Sequence, residues 1–166
     1  SKKQIYPSGF NKKIKISSFS KNYVESLDWH FEAVVDVIDR FIRIIKPNRI
    51  FLGKKDLQQL KIIEEFINKN QIKTKVIGCK TIREKNGIAC SSRNLLLTLK
   101  QKIIASKIYR LLFKNKKYLI KNKSSLKEIK AKIKKFGVNK IEYLEILNIN
   151  KLTKPHIKNN KYKIFI

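Results

Sequence analysis

The sequence predicts an α/β fold with a parallel sheet in its first half, followed by a smaller α+β domain. Up to about residue 79, helical and strand-like segments alternate, which is typical of parallel strands joined by right-handed crossovers. After residue 95 the pattern changes to two helices followed by two strands. The stretch between these parts has no hydrophobic period, and we therefore predict one domain over residues 1–85 and a second over residues 86–166.

The first elements are predicted from turn signals and apolar periodicity. A Pro7-Ser8-Gly9 turn between short alternating segments predicts a hairpin or two short strands over Gln4–Ser20, one of them at Ile5-Tyr6. Residues Leu27–Lys46 have a helical period that ends at Pro47, because the residue before a proline is disfavoured in the helical region. The apolar stripe of this helix consists of Phe31, Val34, Val35, Ile38, Phe41, Ile42 and Ile45.

The remaining elements follow from the same patterns. In the first half they are a buried strand over Arg49–Leu52, a helix from about Asp56 to Asn68 and a strand over Lys73–Cys79. In the second half they are helices over Leu99–Asn115 and Ser124–Phe136, and strands over Lys140–Asn148 and Tyr162–Ile166. Gly137 suits the exit of the last helix. Two parallel strands do not make a stable sheet, so we expect further strands from elsewhere.

The composition limits the function classes. The net charge of +28 would suit a nucleic-acid or anionic membrane partner, but the excess is lysine spread along the chain, with only six arginines. We interpret it mainly as a solvated lysine coat and expect no nucleic-acid partner, with a basic nucleic-acid-binding module as the alternative. The two cysteines lack metal-ligand spacing, and no apolar run approaches the ~20 residues of a membrane span. We therefore expect a cytoplasmic protein without a membrane partner or a protein-held metal.

The segment Gly53–Gln59 joins a predicted strand to a predicted helix, which is where open α/β sheets bind their ligands. Its glycine allows close approach of the backbone, and the free amides of a first helical turn attract anions. Lys55 adds a positive charge, and Gln59 adds an amide that both donates and accepts hydrogen bonds. The alternative is a surface turn in which Asp56 caps the helix.

The segment Cys90–Asn94 is the second candidate site. The adjacent hydroxyls of Ser91 and Ser92, the backbone amides and the guanidinium of Arg93 suit a polyphosphate. The alternative is a polar inter-domain loop in which Arg93 pairs with a carboxylate. Cys90 is either a nucleophile or, as free cysteines commonly are, a buried small residue.

Four motifs occur in the order and spacing of one enzyme family. They are Tyr6-Pro7-Ser8-Gly9, His30-Phe31-Glu32-Ala33-Val34, Gly53-Lys54-Lys55-Asp56-Leu57-Gln58-Gln59 and Asn86-Gly87-Ile88-Ala89-Cys90-Ser91-Ser92-Arg93-Asn94. On these motifs the chain resembles the pantothenate synthetases (pantoate–β-alanine ligases) over nearly its whole length. The resemblance implies that residues 1–85 form the C-terminal half of a Rossmann-like nucleotide-binding domain and that residues 86–166 form an incomplete α+β lid domain.

The resemblance also implies a two-step reaction. ATP and pantoate give pantoyl adenylate and pyrophosphate, and the amine of β-alanine then attacks the adenylate to give pantothenate and AMP. The residues expected to bind ATP are Gly53, Lys54, Lys55, Asp56, Ile82 through its backbone, Cys90, Ser91, Ser92 and Arg93. Of these, Lys55, Ser91 and Arg93 are expected to be catalytic, the two cations by opposing the negative charge on leaving pyrophosphate. Gln59 is expected to hold pantoate, and the family further implies Mg²⁺ with the ATP and a homodimer.

The chain departs from the family pattern in several places. The His-x-Gly-His motif and the second pantoate-binding glutamine of the family's first half do not occur in it. Ala33, Asn86 and Cys90 stand where the family usually has glycine, aspartate and methionine or leucine. We therefore expect a chain that lacks the N-terminal half and the last segment of the enzyme, and that is inactive and poorly stable alone. A non-catalytic nucleotide-binding remnant is the remaining alternative.

Overall fold

The computed structural model describes residues 5–6, 28–121, 125–149 and 161–166. The chain divides into two compact units, Ser1–Lys80 and Thr81–Ile166. This division falls slightly before the boundary predicted from the sequence, and the roles assigned to the two domains stay predictions. Among the described residues, no helix combines the length and the apolar character that crossing a membrane requires.

The first unit contains a parallel two-stranded sheet and two helices. Its elements are α1 (Asp28–Ile45), β1 (Arg49–Gly53), a 3-10 turn (Lys54–Asp56), α2 (Leu57–Lys69) and β2 (Lys75–Cys79). The pairing of β1 with β2 is parallel, with Arg49 opposite Lys75, which confirms the predicted α/β fold with a parallel sheet. The start of β2 is fixed by the Thr74 hydroxyl, which donates to the Pro47 carbonyl at 2.7 Å.

Helix α1 ends as predicted but packs through a narrower stripe. Lys46, the residue before Pro47, has φ +50°, outside the right-handed helical region, because the proline ring disfavours that region. Phe41 and Ile45 were expected in the apolar stripe, but their side chains are 39% and 65% exposed. The part of the stripe that packs in the core is Phe31, Val35 and Ile42, with Val34 and Ile38 partly buried against it.

The predicted burial of β1 is wrong. One face of the sheet packs through Ile50, Leu52 and Val76 on the core that α1 and α2 form. On the opposite face lie Phe51 and its register partner Ile77, which are 66% and 37% exposed. Parallel strands are apolar on both faces when helices cover both, and within the described residues the helices of this unit cover one face.

The predicted N-terminal hairpin falls almost entirely outside the described residues. Of Gln4–Ser20, the structure describes Ile5 and Tyr6, and the backbone of Ile5 is helical, so the strand expected at this dipeptide is wrong. The Arg40 guanidinium of α1 lies 4.4 Å from the centre of the Tyr6 ring and donates to the Ile5 carbonyl at 3.1 Å. This contact attaches the dipeptide to α1.

The second unit contains two helices and an antiparallel strand pair. Its elements are a 3-10 helix (Ser92–Leu96), α3 (Leu99–Lys121), α4 (Ser125–Lys135), β3 (Glu145–Asn148) and β4 (Tyr162–Phe165), β3 and β4 being antiparallel. α3 is longer than predicted and β3 is shorter. Gly137 follows α4 with φ +93°, and its amide donates to the Lys134 carbonyl at 2.9 Å, which confirms its role at the helix exit. The core of this unit is formed by Leu119, Ile129, Ile133, Leu144 and Ile146.

Candidate active site

The segment Lys54–Asp56 directly follows the carboxyl end of β1, where the sequence places it. Gly53 has ordinary extended dihedral angles, φ −69° and ψ 130°, and a Cβ built on it would meet nothing closer than the Lys55 amide nitrogen at 4.0 Å. The local fold therefore does not require glycine here. Open space beside the backbone is what the glycine provides, as a site for a closely approaching ligand needs.

The side chain of Lys54 lies across the neighbouring strand β2. A Cβ on Gly78 would come within 2.8 Å of Lys54 Cε and 3.1 Å of Leu60 Cδ1. The missing side chain at Gly78 thus leaves a path along which the aliphatic stem of Lys54 runs. Gly78 thus helps to position Lys54. The sequence patterns did not identify this role, because the residues that approach a glycine in a strand are known only from the three-dimensional structure.

Lys55 and Asp56 are exposed and have no hydrogen-bond or ion-pair partner among the described residues. Asp56 occupies the N-cap position of α2, but its side chain makes no capping hydrogen bond, so the interpretation of Asp56 as a helix cap is wrong. Gln59 is half-buried in the first turn of α2. The neighbouring Gln58 carries a buried Nε2 that has no partner in the described part of the chain. A cation, a carboxylate and an amide thus remain available for a ligand beside β1.

Residues 82–90 form a small hairpin in the second unit. The Cys90 amide donates to the Ile82 carbonyl at 3.0 Å, and the Glu84 amide donates to the Ile88 carbonyl at 2.8 Å. The two residues expected at the adenine side and at the start of the phosphate loop, Ile82 and Cys90, are therefore adjacent. Cys90 is exposed, so the interpretation of this thiol as a buried small residue is wrong.

Ser91 is the N-cap of the 3-10 helix that carries two of the predicted phosphate-binding residues, Ser92 and Arg93. Its Oγ accepts a hydrogen bond from the Arg93 amide at 3.3 Å, and its carbonyl accepts one from the Asn94 amide at 3.0 Å. Ser92 and Arg93 are exposed, and the Arg93 guanidinium has no partner within the described ranges. The alternative prediction, in which Arg93 pairs with a carboxylate, is therefore not found among the described residues. A free guanidinium next to two hydroxyls can bind phosphate oxygens.

The loop that presents these groups is held by a carboxylate. Glu84 Oε1 accepts the Asn94 side-chain amide at 2.7 Å, and Oε2 accepts the Asn86 side-chain amide at 3.1 Å. Asn94 Nδ2 also donates to the Ala89 carbonyl at 3.0 Å, and Asn86 Oδ1 accepts the Ile88 amide at 2.9 Å. The sequence patterns did not identify Glu84, since one of its partners lies ten residues away and only the fold brings them together.

The turn of this hairpin rests on α3. Gly87 has φ +91°, and the Tyr109 ring occupies the place of any side chain at this position. The same ring stacks on the Arg83 guanidinium at 4.3 Å, and Arg83 donates to the Gly87 carbonyl at 2.9 Å. The Ser106 hydroxyl donates to the Asn86 carbonyl at 2.7 Å. The predicted Asn-Gly turn is therefore present and attached to a long helix.

Each unit thus brings one group of the predicted site residues together. Lys54, Lys55 and Asp56 adjoin one another after β1, with Gln59 one helical turn further on. Ile82 and Ser91–Arg93 adjoin through the hairpin. That both groups face a single nucleotide stays a prediction, as do the individual ligand assignments.

Comparisons with known proteins agree on a single family. The family described as pantoate-beta-alanine ligase matches residues 1–166. The pantothenate synthetase of Flavobacterium psychrophilum is 38% identical over 142 residues, which cover 82% of this chain and 50% of that protein. That of Francisella tularensis subsp. mediasiatica is 37% identical over 150 residues, covering 89% of this chain and 55% of that protein.

Solved structures give the same answer. The crystal structure of pantoate-beta-alanine ligase from Francisella tularensis, complexed with beta-gamma ATP and beta-alanine, has a TM-score of 0.77 and 32% identity, covering 100% of this chain and 62% of that one. Pantothenate synthetase from Thermus thermophilus has a TM-score of 0.78 and 25% identity, covering 93% and 58%. The chain spans about half the length of the curated relatives it matches. Sequence and fold together confirm the resemblance, and the chain belongs to the pantoate-beta-alanine ligase family.

Proposed function

We propose that the protein containing this chain condenses pantoate with β-alanine in an ATP-dependent ligation that passes through pantoyl adenylate and releases pyrophosphate and AMP. The observation that carries the proposal is the Ser91–Arg93 turn, which directly follows the hairpin and presents two hydroxyls and a guanidinium that has no partner among the described residues. The family assignment and the relative complexed with beta-gamma ATP and beta-alanine support it.

In the first step, a carboxylate oxygen of pantoate attacks the α-phosphorus of ATP, the new oxygen–phosphorus bond forms and the bond to pyrophosphate breaks. This step needs positioning and charge neutralisation more than a covalent intermediate on the protein. Arg93 and Lys55 oppose the charge that builds up on pyrophosphate, while Ser91 and Ser92 donate to phosphate oxygens. Gln59 orients pantoate through its amide.

In the second step, the β-alanine amine attacks the carbonyl carbon of the adenylate, and AMP leaves. The carboxylate of Asp56 makes no capping hydrogen bond, so it fits a Mg²⁺ ion that the nucleotide would bring with it. One carboxylate with substrate phosphates and water is the usual Mg²⁺ environment, and Asp56 would hold the ion there, so that the ion neutralises phosphate charge.

The test measures the two half-reactions separately. The native protein, at the full length that its source organism produces, should release pyrophosphate only when ATP and pantoate are both present. AMP release should further require β-alanine. ATP binding without either product would contradict the proposal and indicate a nucleotide-binding remnant.

We expect a cytoplasmic homodimer. Cell fractionation tests the location of the native protein, and analytical sedimentation tests its oligomeric state. We expect residues 1–166 alone to be inactive and poorly stable, because among the described residues nothing covers the face of β1 and β2 that carries Phe51 and Ile77.

A further inference from the structure

The side-chain amides of Asn86 and Asn94 both point a donor at the same carboxylate. Asn86 Nδ2 and Asn94 Nδ2 lie 3.1 and 2.7 Å from the two oxygens of Glu84. These asparagines stand at the two ends of the loop that contains Ser91 and Arg93. Glu84 therefore ties the start of the loop to its end.

Neither asparagine can turn its amide around without losing a bond. Asn86 Oδ1 accepts the Ile88 amide at 2.9 Å, and a flipped amide would present a donor to that donor. Asn94 Nδ2 donates to the Ala89 carbonyl at 3.0 Å as well as to Glu84, and a flip would present an oxygen to that oxygen. The site thus requires a group that accepts at both ends, and among side chains of this shape only an ionised carboxylate does so.

We propose that Glu84 is a positioning residue for adenylate formation: by joining both ends of the loop, it holds Ser91 and Arg93 in the arrangement that the phosphates of ATP need. This inference rests on the proposed function. Asn94 lies close to these groups, since its backbone amide donates to the Ser91 carbonyl at 3.0 Å and the backbone amide of Arg93 donates to Ser91 Oγ at 3.3 Å. A shift of Asn94 therefore moves the groups that contact the nucleotide.

The role of Glu84 can be tested in the native protein by reversing the donor and the acceptor of its hydrogen bond with Asn86. In Glu84→Gln, the amide nitrogen must face one of the two asparagine donors, and one end of the loop is released. Adding Asn86→Asp restores the match, because the aspartate accepts both the Ile88 amide and the new glutamine donor. Glu142→Gln is the matched control: Glu142 is an exposed carboxylate of the same unit, paired with Lys140 at 3.3 Å.

Two readouts are expected to move together. Amide exchange at Arg93 and Asn94 should accelerate about tenfold or more in Glu84→Gln, since local opening becomes easier, and should slow again in the double variant. The rate of pyrophosphate release at saturating ATP and pantoate should fall about 10²-fold, the scale for misplacing a reacting group by about 1 Å, and the double variant should recover most of it. The control should match the wild type in both.

Several outcomes would overturn the inference. One is a Glu84→Gln variant that matches the Glu142→Gln control in both exchange and rate. Another is a double variant as impaired as Glu84→Gln, since restored polarity would then have no effect. If Glu84→Gln fails to fold, the double variant must fold and react, or the inference fails. A wild type that releases no pyrophosphate would instead contradict the proposed function, and the exchange measurement would still decide whether Glu84 holds the loop.

Discussion

The aromatic ring of Tyr109 fills the space that a side chain on Gly87 would need. Gly87 also has φ +91°, a conformation that residues with a Cβ rarely adopt. We expect Gly87→Ala to lower the free energy of unfolding by at least about 2 kcal/mol, the combined scale of overpacking and a forbidden backbone angle. Urea denaturation measures it.

Gly53→Ala is the matched control for that substitution. Its dihedral angles suit alanine and the added Cβ meets only ordinary contacts, so stability should stay the same or rise by up to about 1 kcal/mol. If Gly53 serves ligand approach, the KM for ATP should rise although the fold is intact. A Gly87→Ala protein as stable as Gly53→Ala would contradict the packing of Tyr109 on the turn.

Arg93→Ala should slow adenylate formation by about 10²–10³-fold, the scale for losing one preorganised charge donor. The reaction of preformed pantoyl adenylate with β-alanine should change much less, because no pyrophosphate leaves in that step. Quenched-flow measurement of each half-reaction separates them, with Arg110→Ala, which removes an exposed arginine on α3, as the control. Equal slowing of both half-reactions would mean that Arg93 is structural.

Gln59→Leu should chiefly raise the concentration of pantoate that is needed for half-maximal rate. Substrate groups that lose the amide remain unpaired, at about 1–3 kcal/mol each. Glu64→Gln is the control on the same helix, because Glu64 already pairs with Lys61 at 2.6 Å and its replacement should not weaken pantoate binding. Titration of ATP alone should give similar affinities for both variants. An equal loss of ATP and pantoate affinity in Gln59→Leu would exclude its role as a pantoate ligand.

The pKa of the Tyr6 phenol should depend on the neighbouring carboxylate of Asp36. Burial, followed by the hydrogen bond and the negative charge of Asp36, raises this pKa above its ordinary value of 10.0. The neutral phenol is therefore favoured in the folded state, and its stabilising contribution is complete below the unfolded pKa and is lost as pH rises through the folded one. Asp36→Asn should lower the pKa, as measured by tyrosinate absorbance relative to Tyr6→Phe.

Asp39→Asn is the control for that titration. Asp39 is also a buried carboxylate of α1 and pairs with Arg43 at 2.7 Å, as Asp36 pairs with Arg40 at 2.8 Å. Asp39 does not contribute to the Tyr6 shift. The same fall in the Tyr6 pKa in both variants would point to a general loss of packing and not to Asp36.

The sequence predicted the parts of the fold that depend on neighbours along the chain. The helical period of α1, its end before Pro47 and the positive φ of Gly137 are local effects of side-chain spacing and backbone sterics. The exposure of side chains was harder to predict, because the exposed fractions of Phe51 and Cys90 depend on which other parts of the fold cover them. The hydrogen bond from the Asn94 side chain to Glu84 was not predicted either, because the fold brings together two residues that are ten positions apart.

The hydrogen bond between the Cys90 amide and the Ile82 carbonyl has a consequence for sequence variation. It uses only backbone atoms, while the Cys90 side chain lies exposed. Every residue except proline can form it, so the hairpin places no demand on the chemistry at position 90. The cysteine at this position is therefore compatible with an unaltered hairpin backbone, and any demand on its side chain would come from a bound ligand.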